Sequence, residues 1–304
     1  MIPPPVNPRI LNSFLLPVPA DTARPSETPP IDEASIVALA AEISTWFDVE
    51  DKDIISFAKE ENFPFFILGG GSNILVSDQG FPGLVISTRL LNRITAQGER
   101  VQAEAGVRLA FLLKFCLQNR FGGIEFLGGI PGTLGGAIRM NAGLKRRWIS
   151  SRIISVTAYE DQKEVSLRRQ EIPFGYRKSG LESKFILSAE MQLFPSERKQ
   201  IHSKIIQRMM NRRKKQPPPF RTAGSIFKNP PGHYAGKLIE DCQLKGFRLG
   251  QAQISPIHAN IIVNTGRTTS TEIWQLICLV REAVRKQYNI ELELEIQCLG
   301  EFPE

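Results

Sequence analysis

The sequence predicts an α+β protein of more than one domain, and three observations carry that reading. Its 304 residues are about twice an ordinary domain length, which sets a prior of two. Short β-branched and aromatic runs are interspersed with segments of helical periodicity. The run Gln216-Pro217-Pro218-Pro219 then stops a long helical pattern, so a domain boundary is expected there.

Taken in order, residues 1–30 hold nine of the 21 prolines and no glycine, which favours an extended arm. Residues 33–48 read as a helix. Phe65–Leu68 and Ile74–Val76 read as strands on either side of Gly69-Gly70-Gly71-Ser72-Asn73, with a further strand at 83–86. Residues 94–104 form a hairpin turned at Gly98, and 109–118 a short apolar helix. A second glycine run spans 122–137 and leads to Met140-Asn141-Ala142-Gly143. Strands are expected at 153–159, 164–168 and 185–194, with a turn at Asp161-Gln162. Helices are expected at 197–215, near 234–242 and at 270–287, with short strands around 251–255 and 260–264. Thr269 and Glu272 supply the last helix with a capping box, and Ile273, Leu276, Ile277, Val280 and Val284 form its apolar stripe. In 290–298, Ile290, Leu292, Leu294 and Ile296 alternate with Glu291, Glu293, Glu295 and Gln297, the pattern of a half-solvated strand.

Bulk properties narrow the function. Apolar residues make up 42% and charged residues 23%, values of a soluble globular chain. No window approaches 18 apolar residues, so membrane insertion is not expected. The proline-broken N-terminus does not resemble a signal peptide, which predicts an uncleaved, cytoplasmic protein. Four scattered cysteines without a C-x-x-C are expected to be buried thiols, and three distant histidines speak against a His-rich catalytic metal site while leaving carboxylate-based Mg²⁺ binding open. The net charge of +7 invites a nucleic-acid partner, but residues 197–215 alone carry a net +7. The charge is therefore a local stripe, expected to be a solvated helix face.

Between residues 69 and 143 lie 15 of the 24 glycines. Glycine loops flanked by Ser, Thr and Asn suit phosphates because backbone N–H groups can approach the oxygens closely. Two such loops suggest a pyrophosphate, although glycines also mark ordinary turns. Neither the dinucleotide-binding G-x-G-x-x-G nor the P-loop is present, since Ile74 stands where the third glycine would be.

Here the residues carry a resemblance. Leu68-Gly-Gly-Gly-Ser-Asn-Ile-Leu-Val-Ser-Asp78, Gly129-Ile-Pro-Gly-Thr-Leu-Gly-Gly-Ala137 with Met140–Gly143, and Tyr176-Arg177-Lys178-Ser179 resemble successive motifs of the UDP-N-acetylenolpyruvoylglucosamine reductase (MurB) family. Ala223–Pro230, Lys237–Glu240, His258-Ala-Asn260, and Glu295 with Gly300 continue the series in order. The spacing from Tyr176 to Ser225 is similar to that of the shorter second type of the family.

The resemblance implies a two-subdomain FAD-binding fold of the PCMH/vanillyl-alcohol-oxidase type, followed by a smaller C-terminal α+β substrate domain. The expected division is 1–30 arm, 31–92 and 93–200 FAD subdomains, and 201–304 substrate domain. It implies reduction of the enolpyruvyl ether of a UDP-sugar in cell-wall precursor synthesis, with FAD and NADPH as cofactors, in a monomer binding no nucleic acid. By position, Gly69, Gly70, Gly71, Ser72 and Asn73 would hold the FAD pyrophosphate with Ile130, Pro131, Gly132, Thr133, Gly135, Gly136 and Ala137, which also flank the isoalloxazine. Ser225 would donate a proton, Arg177 and Glu295 would assist, and Tyr176, Lys228 and Asn229 would contact substrate. On residues alone, Ser225 reads equally as a turn serine, Arg177 and Tyr176 as a solvated pair, and Lys228 as solvent-facing. Lys145-Arg146-Arg147-Trp148 stand where the family has small and acidic residues. A flavin oxidase on the same fold and a basic nucleic-acid-binding protein are the alternatives.

Overall fold

A computed structural model describes residues 55, 58–144, 147–218 and 221–303. The expected arm at 1–30, the helix at 33–48 and the pair Lys145-Arg146 lie outside the described residues.

The central feature is a five-stranded antiparallel sheet. Strands β4 (Ile94–Gln97), β5 (Arg100–Glu104), β9 (Ile153–Glu160), β10 (Lys163–Arg168) and β11 (Phe185–Gln192) pair in the order β10-β9-β11-β5-β4. Along β5 the residues alternate exposed and buried, so Val101 and Ala103 face the core. Gly98, at φ +58°, turns the first hairpin, while Asp161 and Gln162, at +46° and +62°, turn the β9–β10 hairpin. Against this sheet pack helix α1 (Leu109–Gln118), through Leu109, Leu112, Leu113 and Cys116, and helix α2 (Leu134–Arg139), through Leu134 and Ile138. The i, i+3, i+4, i+7 spacing of the α1 set is that of one buried helical face.

A smaller unit pairs β1 (Phe65–Leu68) with β3 (Leu84–Ser87) in parallel, and its Ile86 packs with Ile55, Tyr159 and Phe185. Between them in sequence, β2 (Ile74–Val76) pairs in parallel with β16 (Gln297–Leu299), the last strand. Leu75 thereby joins the core of the C-terminal unit. That unit contains helix α4 (Ala235–Asp241), the three-stranded sheet β13 (Arg248–Leu249), β14 (Ala252–Ile254) and β15 (Ile262–Asn264), and helix α5 (Ser270–Tyr288). The Thr269–Glu272 capping box forms, and Leu276, Ile277, Val280 and Val284 are buried while Ile273 is partly so. Helix α3 (Arg198–Lys215) links the two halves. Short pairs β6 (Phe121–Gly122) with β12 (Phe194–Pro195), and β7 (Gly143–Leu144) with β8 (Arg147–Trp148), complete the described strands.

Three expectations need correction. The strand at 290–298 shortens to 297–299, because the Phe227↔Leu294 bridge is an isolated contact and the chain turns before pairing with β2. The cysteines are not uniformly buried: Cys116 is, whereas Cys278 is exposed on α5. The helix α2, at the end of the glycine run, was hidden by its own glycines; Thr133 caps it by accepting from the Gly136 N–H.

Candidate active site

The two glycine runs meet. A Cβ on Gly70 would stand 2.7 Å from Gly132 Cα, one on Gly69 would stand 2.7 Å from Thr133 Oγ1, and one on Gly132 2.9 Å from Ser72 Oγ. Backbone lies on backbone, which no residue larger than glycine permits at position 70. Gly71 and Gly132 also hold φ of +66° and +106°. Among the described residues, no backbone acceptor takes the N–H groups of Gly70, Gly71, Ser72 or Asn73. A row of free N–H donors in a cradle without side chains suits phosphate oxygens, so the residues present fit a pyrophosphate-bearing cofactor. Asn73 departs from its expected role in one respect: its side-chain amide is engaged by the Glu295 carbonyl oxygen at 3.0 Å.

Arg177 and Glu295 come together from distant parts of the chain. The Arg177 Nε lies 2.7 Å from Glu295 Oε1, with side chains only 22% and 13% exposed, an ion pair that lacks the alignment of a hydrogen bond. Neither the solvated-pair reading of Arg177 nor the half-solvated-strand reading of Glu295 survives. Burial pushes the Glu295 carboxyl above its ordinary value, against the opposing charges of Arg177 and Lys228. Arg177 holds φ +56°, a conformation that non-glycine residues seldom adopt, at the tip of a turn closed by the Gly175 N–H donating to the Lys178 carbonyl. Asn141 secures this turn by donating to the Gly175 carbonyl at 3.0 Å while accepting from the Ser150 N–H.

Ser225 sits after Gly224, whose φ is +82°, and bridges Ile261. The Glu295 N–H donates to the carbonyl of the next residue, Ile226, at 2.7 Å, so the two segments run side by side, although Ser225 itself is not among the residues lining the cleft that holds Glu295. Asn260 clamps both backbone groups of Phe227, accepting at 3.0 Å and donating at 2.7 Å, and so fixes the segment from Ser225 to Lys228. Lys228 pairs with Glu293 instead of facing solvent alone. The Asn229 N–H donates to the Tyr176 hydroxyl at 3.3 Å, which ties the Arg177 turn to the Ser225 segment.

A cleft of about 520 Å³ runs between the two halves, with Arg139, Arg177, Lys178 and Lys228 among its walls beside Glu295. Its cationic lining suits an anionic ligand. Two lining or supporting residues escaped the sequence reading. Arg139, on α2, donates to the Glu182 carbonyl at 2.8 Å and keeps its buried Nε without a partner among the described residues. Trp148 stands edge-on to Tyr176 with centroids 6.2 Å apart, and Arg177 lies over the Tyr176 ring. Gly143, two residues before the basic departure, makes room for this packing: a Cβ there would collide with the Arg147 carbonyl and Trp148.

Residues 48–161 match the family described as FAD binding domain, and with the glycine cradle this defines an FAD-binding flavoprotein. Residues 216–299 match the UDP-N-acetylenolpyruvoylglucosamine reductase C-terminal domain. The chain belongs to the UDP-N-acetylenolpyruvoylglucosamine reductase family. It is 41% identical to the enzyme of that name from Moorella thermoacetica over 249 residues, 81% of this chain and 82% of that one. It is 40% identical to the Synechococcus enzyme over 260 residues, 84% and 83% of the two chains. The solved structure of the Thermus caldophilus reductase is similar at a TM-score of 0.72 and 32% identity, covering 83% of this chain and 91% of that one.

Proposed function

We propose that this protein reduces the enolpyruvyl ether of UDP-N-acetylglucosamine to UDP-N-acetylmuramate in peptidoglycan precursor synthesis, with NADPH as reductant. The observation that carries the reading is the buried Arg177–Glu295 ion pair in a cationic cleft, with Glu295 bonded through Asn73 to the first glycine loop and through Ile226 to the segment that carries Ser225. In the proposed site, Gly69–Asn73 hold the FAD pyrophosphate and Ile130–Ala137 flank the ring. When bound, FAD supplies the hydride that adds to C3 of the enolpyruvyl group.

What this chain supplies is charge and a proton. Hydride addition at C3 leaves an electron pair at C2, delocalised into the adjacent carboxylate. Arg177, held in place by Glu295 and the Tyr176 ring, stabilises that developing charge as an oxyanion site would. The Ser225 hydroxyl then passes its proton to C2, and the resulting alkoxide recovers a proton from solvent. Serine is a weak acid, but the carbanionic carbon is a far stronger base, and nearby cations ease the alkoxide's brief existence. Lys228, Tyr176 and Asn229 orient the sugar nucleotide. One chain supplies both cradle and cleft, which supports a monomer. The use of NADPH and a nucleotide sugar supports a cytoplasmic setting.

The test separates the half-reactions. Ser225→Ala leaves reduction of bound flavin by NADPH near the wild-type rate and slows reoxidation by substrate at least about a hundredfold. Equal loss in both half-reactions removes Ser225 from the donor role.

A further inference from the structure

Tyr176, next in sequence to Arg177 of the cleft wall, is 41% exposed. A ring so open to water has no core to fix its χ angles, so the few groups that touch it set its orientation. On one side the Trp148 ring meets it edge-on, with centroids 6.2 Å apart and planes at 77°. The Arg177 guanidinium lies 5.4 Å from its centroid. Its hydroxyl accepts from the Asn229 N–H at 3.3 Å. That last bond crosses from the Arg177 turn to the segment carrying Lys228. The Asn229 carboxamide is already committed elsewhere, because its Oδ1 accepts from the Ala235 N–H at 3.0 Å at the start of α4.

Trp148 is itself firmly held. It stands opposite Gly143 in the β7–β8 hairpin, and a Cβ on Gly143 would lie 2.7 Å from Trp148 Cε3 and 2.8 Å from its Cα. The indole therefore rests against glycine backbone, in room that a side chain would take. The Trp148 carbonyl accepts from the Ser151 hydroxyl at 2.7 Å, and the Ile149 N–H donates to the Ala142 carbonyl at 2.9 Å. Asn141 joins this hairpin to the Tyr176 turn, since one carboxamide accepts from the Ser150 N–H and donates to the Gly175 carbonyl. The two aromatic residues thus face each other from backbones tied together, and the indole is a fixed stop for the tyrosine ring.

We propose that Trp148 is a positioning residue for the nucleotide substrate: it holds the Tyr176 ring at the angle that keeps the hydroxyl on the Asn229 N–H, and so fixes Tyr176, Asn229 and Lys228 for binding. The inference rests on the substrate reading above. Trp148 belongs to the stretch 145–148, where the chain departs from the motifs it otherwise follows. Arg177 depends on it less, because the Glu295 partner and the turn closed between Gly175 and Lys178 remain when the indole is removed. Binding is therefore the step that weakens.

Trp148→Leu keeps apolar volume against Gly143 and removes the aromatic edge. With FAD bound and NADPH saturating, KM for the enolpyruvyl nucleotide is expected to rise about five- to tenfold, the size of one aromatic pair, while kcat stays within about twofold of wild type. Trp148→Phe, which retains an aromatic edge, recovers most of the KM. In a Tyr176→Ala background Trp148→Leu adds no further rise, because the indole acts through that ring. Trp148→Met repeats the series if the Leu variant does not hold FAD. An unchanged KM, or a rise that reappears in full in the Tyr176→Ala background, would overturn the proposal. Equal losses in kcat with Phe no better than Leu, or loss of FAD from all three variants, would reduce Trp148 to hairpin packing and overturn it as well. Wild-type protein that oxidises no NADPH when the enolpyruvyl nucleotide is added would instead overturn the substrate reading itself.

Discussion

The Asn73 side-chain amide donates to the Glu295 carbonyl oxygen at 3.0 Å, and the Asn73 carbonyl in turn accepts from the Gln297 N–H at 2.9 Å. The last residue of the first glycine loop is thereby fastened on both sides of the buried carboxylate, so the glycine loop and Glu295 share one support. Asn73→Ala removes the side-chain half of this link. The expected effect is about tenfold slower substrate reduction, the size of one lost hydrogen bond, with a smaller change in flavin reduction by NADPH. Stopped-flow absorbance of the two half-reactions checks it; equal slowing of both would mean that the loop acts on the flavin alone.

Gly70 tests the cradle. An alanine there puts its methyl carbon 2.7 Å from Gly132 Cα and 3.5 Å from the Thr133 nitrogen, so the two runs must separate. Gly70→Ala is expected to emerge with little bound FAD, read as the ratio of visible to ultraviolet absorbance after purification. Full flavin content in a folded variant contradicts the close approach.

Glu295 is expected to cost stability for the sake of function. Burial, the largest influence, raises its pKa despite Arg177 and Lys228, so the folded state binds its proton more tightly than the unfolded state does. Stability then falls as pH rises from the ordinary value of 4.5 through the raised one. Glu295→Gln, which has no proton to lose, is expected to show a higher urea midpoint than wild type at neutral pH, and no such gain below the ordinary value. Its substrate half-reaction is expected to slow by roughly two orders of magnitude. A lower midpoint for the variant at neutral pH contradicts the assignment.

Asp78 gives the opposite sign. Burial acts to raise its carboxyl, but bonds from the Ser270 N–H and from the Thr271 hydroxyl and N–H outweigh it and hold the group below 3.8. Its stabilisation is present above that value and is lost as pH falls through the depressed one. Asp78→Ala is expected to lose about 1 kcal/mol, as for a helix cap. The difference from wild type should shrink only at strongly acid pH in urea titrations; a constant difference down to the acid limit contradicts it.

Local periodicity made much of the fold legible. Helix α1 lies at Leu109–Gln118 as its spacing predicts, and α5 starts at the Thr269–Glu272 box. The turn at Asp161-Gln162 is signalled by Asp161, a residue type that tolerates positive φ, whereas the positive φ of Gln162 has no such local signal. What the sequence could not display is pairing across long separations. Glu295 looked solvated because strand alternation describes only its immediate neighbours, whereas its burial depends on Arg177 and Asn73 arriving from elsewhere. Asn260 and Asn141 appeared as motif letters, and only the fold shows that they brace backbone segments. Arg212 was one charge among eight basic residues in its stretch; its inward position depends on Gly129 having no side chain.

The parallel pairing of β16 with β2 has a consequence for how the protein matures. The first glycine loop lies between β1 and β2, and among the described strands β2 pairs only with β16, so the loop is anchored on its far side by the end of the chain. Glu295 reaches Asn73 across 222 residues, a closure whose entropic cost is met only when the last strand settles. The first glycine loop therefore takes its final support from the last part of the chain to be synthesised, and it closes only after residues 295–299 are made.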